Sequence, residues 1–142
     1  MRVRSAAAIA LALAIFAPAG GSLSAQTPMK KNAPPLKGAI EIGYTQLPSK
    51  READKLTTIF KIKNISATGS IVGLQVEQYF YDKTGNLAPG TGDRQRVKTP
   101  INPGEVVTIT LTSNMPPPGS NAQHKFSYRD GTIKPKVMKD LK

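Results

Sequence analysis
An antiparallel β-sandwich is the fold class this sequence predicts, on three observations. Six or seven short runs alternate apolar and polar residues with a period of two. Clusters of Gly, Pro, Asn, Asp and Ser separate those runs. Beyond the N-terminal segment, no stretch carries the period of an amphipathic helix. No repeat and no second domain are visible, so residues 38–142 read as a single domain.

The chain begins with a basic Met1-Arg2-Val3-Arg4, followed by an apolar stretch from Ala6 to Ala17. About a dozen apolar residues match the core of a signal peptide and are short for a bilayer span. Pro18, Gly20 and Gly21 break the stretch, and Ser22-Leu23-Ser24-Ala25 offers small residues for cleavage after Ala25. Residues 1–25 are therefore expected to form a helical signal peptide, and the mature chain to be periplasmic or extracellular; an uncleaved anchor is the competing reading. The chain has no Cys, which excludes a lipoprotein anchor, a disulfide and a thiolate metal site. Residues 26–37, QTPMKKNAPPLK, are polar, basic and proline-containing, and are expected to be a flexible leader.

The first strand is expected at Ala39–Gln46, with Ile40, Ile42 and Tyr44 on one parity. Leu47 to Glu52 reads as a loop, with room for one helical turn between Lys50 and Lys55. From Leu56 to Asp82 two alternating runs flank a polar turn, which predicts a hairpin. Leu56, Thr58, Phe60 and Ile62 share the buried parity of its first strand, and Val72, Leu74, Val76 and Phe80 that of its second. Gln78 falls on the apolar parity, so the strand is expected to leave the core or lie near an edge there. Asp82-Lys83-Thr84-Gly85-Asn86 is a tight turn, because Asp bonds its own backbone and Gly takes positive φ.

Leu87 to Asp93 reads as a loop and Arg94–Thr99 as a short polar edge strand whose cations discourage pairing. Pro100 to Glu105 is a turn. Val106–Ser113 is a half-buried strand in which Val107, Ile109 and Leu111 alternate with threonines. His124, Phe126 and Tyr128 alternate with Lys125, Ser127 and Arg129, and Asp130-Gly131 signals a two-residue hairpin. The last strand, Thr132–Met138, contains Pro135 and so belongs at an edge. The expected core is Ile40, Ile42, Phe60, Ile62, Leu74, Val76, Phe80, Val107, Ile109, Leu111, Phe126 and Tyr128.

Twenty Lys and Arg face nine Asp and Glu. Removing Arg2 and Arg4 with the signal peptide leaves 18 bases against 9 acids, a net charge of +9. The cations are spread over nearly every segment. Such a field favours an anionic surface, such as phospholipid headgroups, envelope polysaccharide or an acidic protein, and serves equally as a solvated exterior. Nucleic acid does not fit: no paired aromatic platform in a basic groove is legible, and the chain is expected to be exported.

Three short motifs carry a family resemblance: Lys63-Asn64-x-Ser66, Tyr81-Asp82-x-x-Gly85-Asn86 and Pro103-Gly104-Glu105. In this order, over residues 56 to 130, they resemble the bacterial FxLYD-type domains. The sequence departs from that pattern in lacking a clean apolar strand between Asn86 and Pro103. The resemblance implies a small extracytoplasmic immunoglobulin-like sandwich of about seven strands. It also implies a binding or assembly module on the envelope side, with no general catalytic activity and no cofactor.

The residues by themselves offer little chemistry. His124 is the one histidine and sits on a core-facing parity, so it reads as a packed side chain. Met29, Met115 and Met138 have no ligand spacing, and Asp82 and Glu105 read as turn residues rather than a catalytic pair. No catalytic, metal-binding or cofactor-binding residue is assigned, and the chain is not expected to be an enzyme. Tyr79 and Tyr81, which share an outward parity with Glu77, are the candidate protein-contact residues. Asn64, Asp82, Gly85, Pro103 and Gly104 are the candidate structural residues of the turns. The expected partner is an envelope protein or a membrane-associated complex; oligomeric state is left open.

Overall fold
The computed structural model describes residues 31–141, which fold into an all-β unit. The expected signal peptide, residues 1–25, lies outside the described residues. The described residues form eight strands: β1 (Gly38–Gln46), β2 (Lys50–Glu52), β3 (Lys55–Asn64), β4 (Gln75–Tyr81), β5 (Asp93–Arg96), β6 (Val106–Asn114), β7 (Asn121–Tyr128) and β8 (Gly131–Val137). They hydrogen-bond into one curled mixed sheet in the order β2-β3-β1-β8-β7-β4-β5, with β6 on the other flank of β3.

β3 is the scaffold of this arrangement. β6 pairs with it from Lys55↔Asn114 to Lys63↔Val106. Its second flank is shared: β1 takes Phe60 to Asn64, and β2 takes Lys55 to Thr57. Between Gln46↔Phe60 and Lys50↔Thr57 the register slips by one residue, a bulge around Pro48, which has no N–H to give to a ladder. Lys50 to Glu52 thus extend the edge as a strand, not the helical turn considered from the sequence.

Two further expectations are corrected. The runs over residues 56–82 do not form a hairpin: β3 lies between β1/β2 and β6, whereas β4 lies between β7 and β5. The alternation is real on both strands, but period-two burial is the same whether the next strand is a neighbour or lies across the core. The sheet is also not wholly antiparallel, because β1 and β8 run parallel from Gly38↔Gly131 to Tyr44↔Val137. The start of that ladder demands glycine. A Cβ on Gly131 would stand 1.9 Å from the Gly38 carbonyl oxygen. The Tyr128 hydroxyl donates to the same carbonyl at 2.5 Å.

The Asp130-Gly131 signal marks the right hairpin one residue late, since Tyr128 pairs with Gly131 and the two-residue loop is Arg129-Asp130. The β7–β8 ladder ends at Ser127↔Thr132, so Pro135 has a strand neighbour on one flank only, as its ring predicts.

The main core joins Ile40, Ile42, Phe60, Ile62, Leu74, Val76, Ile109, Leu111 and Tyr128 with Ile71 and Ile101, two loop residues outside the expected set. Val107 and Phe126 pack on it part-buried. A smaller cluster gathers Leu56, Phe80 and Ala88, with Met115 against it. Gln78 does not leave the core: it is buried beside Thr58, and its Nε2 donates to Thr58 Oγ1 at 3.2 Å.

Candidate functional site
The candidate turn residues form two local constructions. Asn64 is wholly buried at the end of β3. Its Nδ2 donates to the carbonyls of Gly69 and Ile101, both at 2.8 Å, and its Oδ1 accepts from Ser66 N at 3.0 Å. Pro103 and Gly104 occupy the middle of a turn in which Glu105 N donates to Asn102 O at 3.0 Å. Gly104 has φ +76°, so the turn is type II, with Pro and Gly in their favoured places. Gly104 N then donates to Asn64 O at 2.8 Å and Asn64 N to Glu105 O at 3.0 Å, which locks the two loops together.

Asn102, which the sequence did not single out, extends the lock to the N-terminal segment. Its Oδ1 accepts from Ala33 N at 2.9 Å, while Ser70 exchanges backbone bonds with Pro34 and Leu36. The leader is therefore not free along its whole expected length: residues 33–36 run extended against the domain.

Asp82 and Gly85 build the second turn. Asp82 Oδ1 accepts from Thr84 Oγ1 at 2.6 Å, Thr84 N at 2.9 Å and Asn86 N at 3.0 Å. Hydrogen bonds from the Thr84 side chain and the Asn86 backbone hold its carboxyl below the ordinary 3.8. Gly85, at φ +83°, supplies the left-handed residue that closes a three-residue hairpin loop. All five of these residues thus sit in turns that hold the backbone.

The candidate contact residues lie elsewhere, on the outer face of β4. Antiparallel register places Glu77 between Arg94 of β5 and Lys125 of β7. The Tyr79 hydroxyl donates to Glu77 Oε2, and Gln75 Nε2 donates to Glu77 Oε1. Arg94 stands 3.9 Å from the same carboxylate. Although Glu77 points to the solvent side, these neighbours leave it only 8% exposed. The Tyr79 bond is the main reason its carboxyl is held below the ordinary 4.5, and the same bond raises the Tyr79 phenol. Tyr81 stands further along the strand opposite Asn121, half-buried. Glu77, Tyr79 and Arg94 also line an open groove of about 440 Å³ that continues over Thr91, Gly92 and Asp93.

His124 takes no part in this face. Its ring stands 4.8 Å from that of Phe60 in an edge-on contact, and its Nε2 is buried without a partner. Burial pushes its imidazole below the ordinary 6.5. Among the described residues, no group of three or more His, Asp or Glu is placed to hold a metal ion. The β4 face thus presents a hydrogen-bonded phenol and a shielded carboxylate with Arg94 and Lys125 beside them. Comparison of the chain with protein-family models, with curated proteins and with solved structures returned no match.

Proposed function
We infer that the protein is an exported, non-enzymatic binding or assembly module that contacts another envelope component through the outer face of β4. The observation that carries this reading is the Gln75–Glu77–Tyr79 chain of side-chain bonds. It holds an aromatic ring on a solvent-facing sheet, so little side-chain entropy remains to be lost on docking. Tyrosine is enriched among residues that dominate binding energy, and Tyr81 continues the same strand face.

An immunoglobulin-like sandwich of the FxLYD type is the finer fold we favour. The strand order supports it: β1, β3 and β6 lie together, β7, β4 and β5 lie together, and few pairs join β7 to β8. The Asn64, Asp82 and Pro103-Gly104 turns that carry the resemblance all have structural work in the fold.

Co-purification of the full chain from its native membranes tests the function. The wild type should bring down a partner, and Tyr79→Ala should lose it while remaining folded. A wild-type chain recovered only as a free monomer, or a Tyr79→Ala chain that keeps its partner, would remove this reading.

A second reading, electrostatic adhesion to anionic lipid or polysaccharide, rests on a different group of strands. β1, β3, β6 and β8 together hold five lysines (Lys55, Lys61, Lys63, Lys134 and Lys136) against the single acid Glu41. It predicts vesicle binding that falls steeply with salt, since screening shortens the reach of exposed charge. Binding equal at low and high salt would dismiss it.

A further inference from the structure
The groove beside Tyr79 has one wall that the backbone keeps bare. Just past Gln78↔Asp93, the last pair of the β4–β5 ladder, the chain brings Gly92 alongside Tyr79. Gly92 has φ +105°, and a Cβ there would stand 2.6 Å from the Gln78 carbonyl oxygen and 3.9 Å from the Tyr79 Cα. Only glycine fits so close to β4. Position 92 therefore sets no side chain against the Tyr79 ring from the β5 flank.

The ring itself lies down on the sheet. Side chains on a strand ordinarily stand roughly perpendicular to it. The Tyr79 hydroxyl instead reaches back to Glu77 Oε2, two residues earlier on the same face, and Gln75 Nε2 holds the other oxygen of that carboxylate. A phenol oxygen that has donated its hydrogen still accepts one.

Around the ring the groove offers hydrogen-bonding groups of both kinds. Arg94, whose side chain is 67% exposed, brings donors. Thr91 Oγ1 donates to Ala88 O at 2.6 Å and keeps its lone pairs for a further hydrogen. Asp93 is already engaged, Oδ1 accepting from Arg94 N at 2.7 Å and Oδ2 from Thr112 N at 2.8 Å.

Charge narrows the choice of ligand. The carboxylates of Glu77 and Asp93 are matched by the cations of Arg94 and Lys125. A balanced site has no surplus to draw in a phosphate, a carboxylate or a cation. A wholly apolar ligand would strip water from Arg94 and Thr91 and give nothing back. A sugar ring meets every condition: its C–H face covers an aromatic ring, and its hydroxyls both give and accept. A volume of about 440 Å³ lies within the roughly 300–1,000 Å³ of small-ligand sites, and an open groove admits a ring still joined to its neighbours.

We propose, resting on the reading of the β4 face as a binding surface, that this groove holds a pyranose ring of an uncharged polysaccharide. The ring stacks on Tyr79 above Gly92, accepts from the Arg94 guanidinium and donates to Thr91 Oγ1. Glu77 is a positioning residue, which keeps the phenol down.

The test titrates the full chain, followed by NMR, with linear hexasaccharides of β-1,4-glucose, α-1,4-glucose and β-1,4-N-acetylglucosamine, and of galacturonate as the charged control. At least one uncharged sugar should shift the amides of Tyr79, Thr91, Gly92 and Arg94, with an affinity unchanged between about 50 and 500 mM salt. Tyr79→Ala should weaken it about tenfold or more. Arg94→Lys keeps the charge but not the fork, and should weaken it about three- to tenfold. No shift with any uncharged sugar would overturn the proposal, as would equal binding by a folded Tyr79→Ala chain. Tight galacturonate binding that fades with salt would assign an anionic ligand and overturn it too. A protein partner lost in Tyr79→Ala, with no sugar bound, would overturn the sugar and leave the β4 face as a docking surface.

Discussion

Asn64 and Thr58 lie six residues apart on the same inward face of β3, both wholly buried. Around Asn64 every side-chain polar atom is engaged, twice through Nδ2 and once through Oδ1, and the bonds tie two loops to one strand end. Around Thr58 the interior is also polar, with Gln78, Ser113 and His124 facing the same space, but Gln78 Oε1, Ser113 Oγ and His124 Nε2 are buried without protein partners. The difference teaches that burial of polar residues does opposite things in one core. A matched amide fixes loop positions, whereas an unmatched one retains much of its desolvation cost.

The comparison is broken most severely at its matched end. Asn64→Ala strips the donors from two buried carbonyls and should lower stability by about 3 kcal/mol, measured by urea unfolding. Gly104→Ala forces a side chain into left-handed backbone beside the same hub, and should cost about 1 to 2 kcal/mol with the fold retained. At the unmatched end the effect should be smaller. Gln78→Met removes an orphaned oxygen at similar volume, and stability should stay within about 1 kcal/mol of wild type, on either side. A loss as large as that of Asn64→Ala would show that the Thr58 bond, not the orphaned oxygen, decides the role of Gln78.

The smallest expected effect is a slope. The folded pKa of His124 lies below its unfolded value of about 6.5, so the unfolded chain takes up the proton first. Its contribution is complete above that pH and is lost as the pH falls below it. Asp82 and Glu77 also have lowered values, but their contributions fade only below the ordinary carboxylate range. His124→Phe should therefore flatten stability between about pH 6.5 and 5 while leaving the steeper acid limb intact. An unchanged slope in that window would clear His124 of any role.

Much of the fold was legible because burial has period two. Phe60, Ile62, Leu74, Val76, Ile109 and Leu111 all face inward as their parity requires. Strand partners were not legible, because parity says which way a side chain points and not which strand stands beside it. That is why β3 and β4 read as a hairpin. The parallel β1–β8 pairing joins residues 93 apart, and its one local trace is the steric need for Gly131. Ile71 and Ile101 escaped because they pack from loops, where no period exists. The turn residues were readable as turns; that Asn64 also anchors the Ile101 loop was not, since it depends on a contact 37 residues away. On the β4 face, Tyr79 and Tyr81 were visible by parity. The shielding of Glu77 was not, because it requires the register that sets Arg94 and Lys125 beside it.

Amide hydrogen exchange followed by NMR tests the contrast between the two ends most directly. The amides of Asn64, Ile71, Ile101 and Gly104, all bonded at the matched hub, should exchange only through global unfolding. The amides of Ala88 and Met115, bonded near the unmatched layer, should exchange faster, through partial opening. Equal protection at both ends, or the reverse order, would contradict the claim that hydrogen-bond matching decides which end of this core holds.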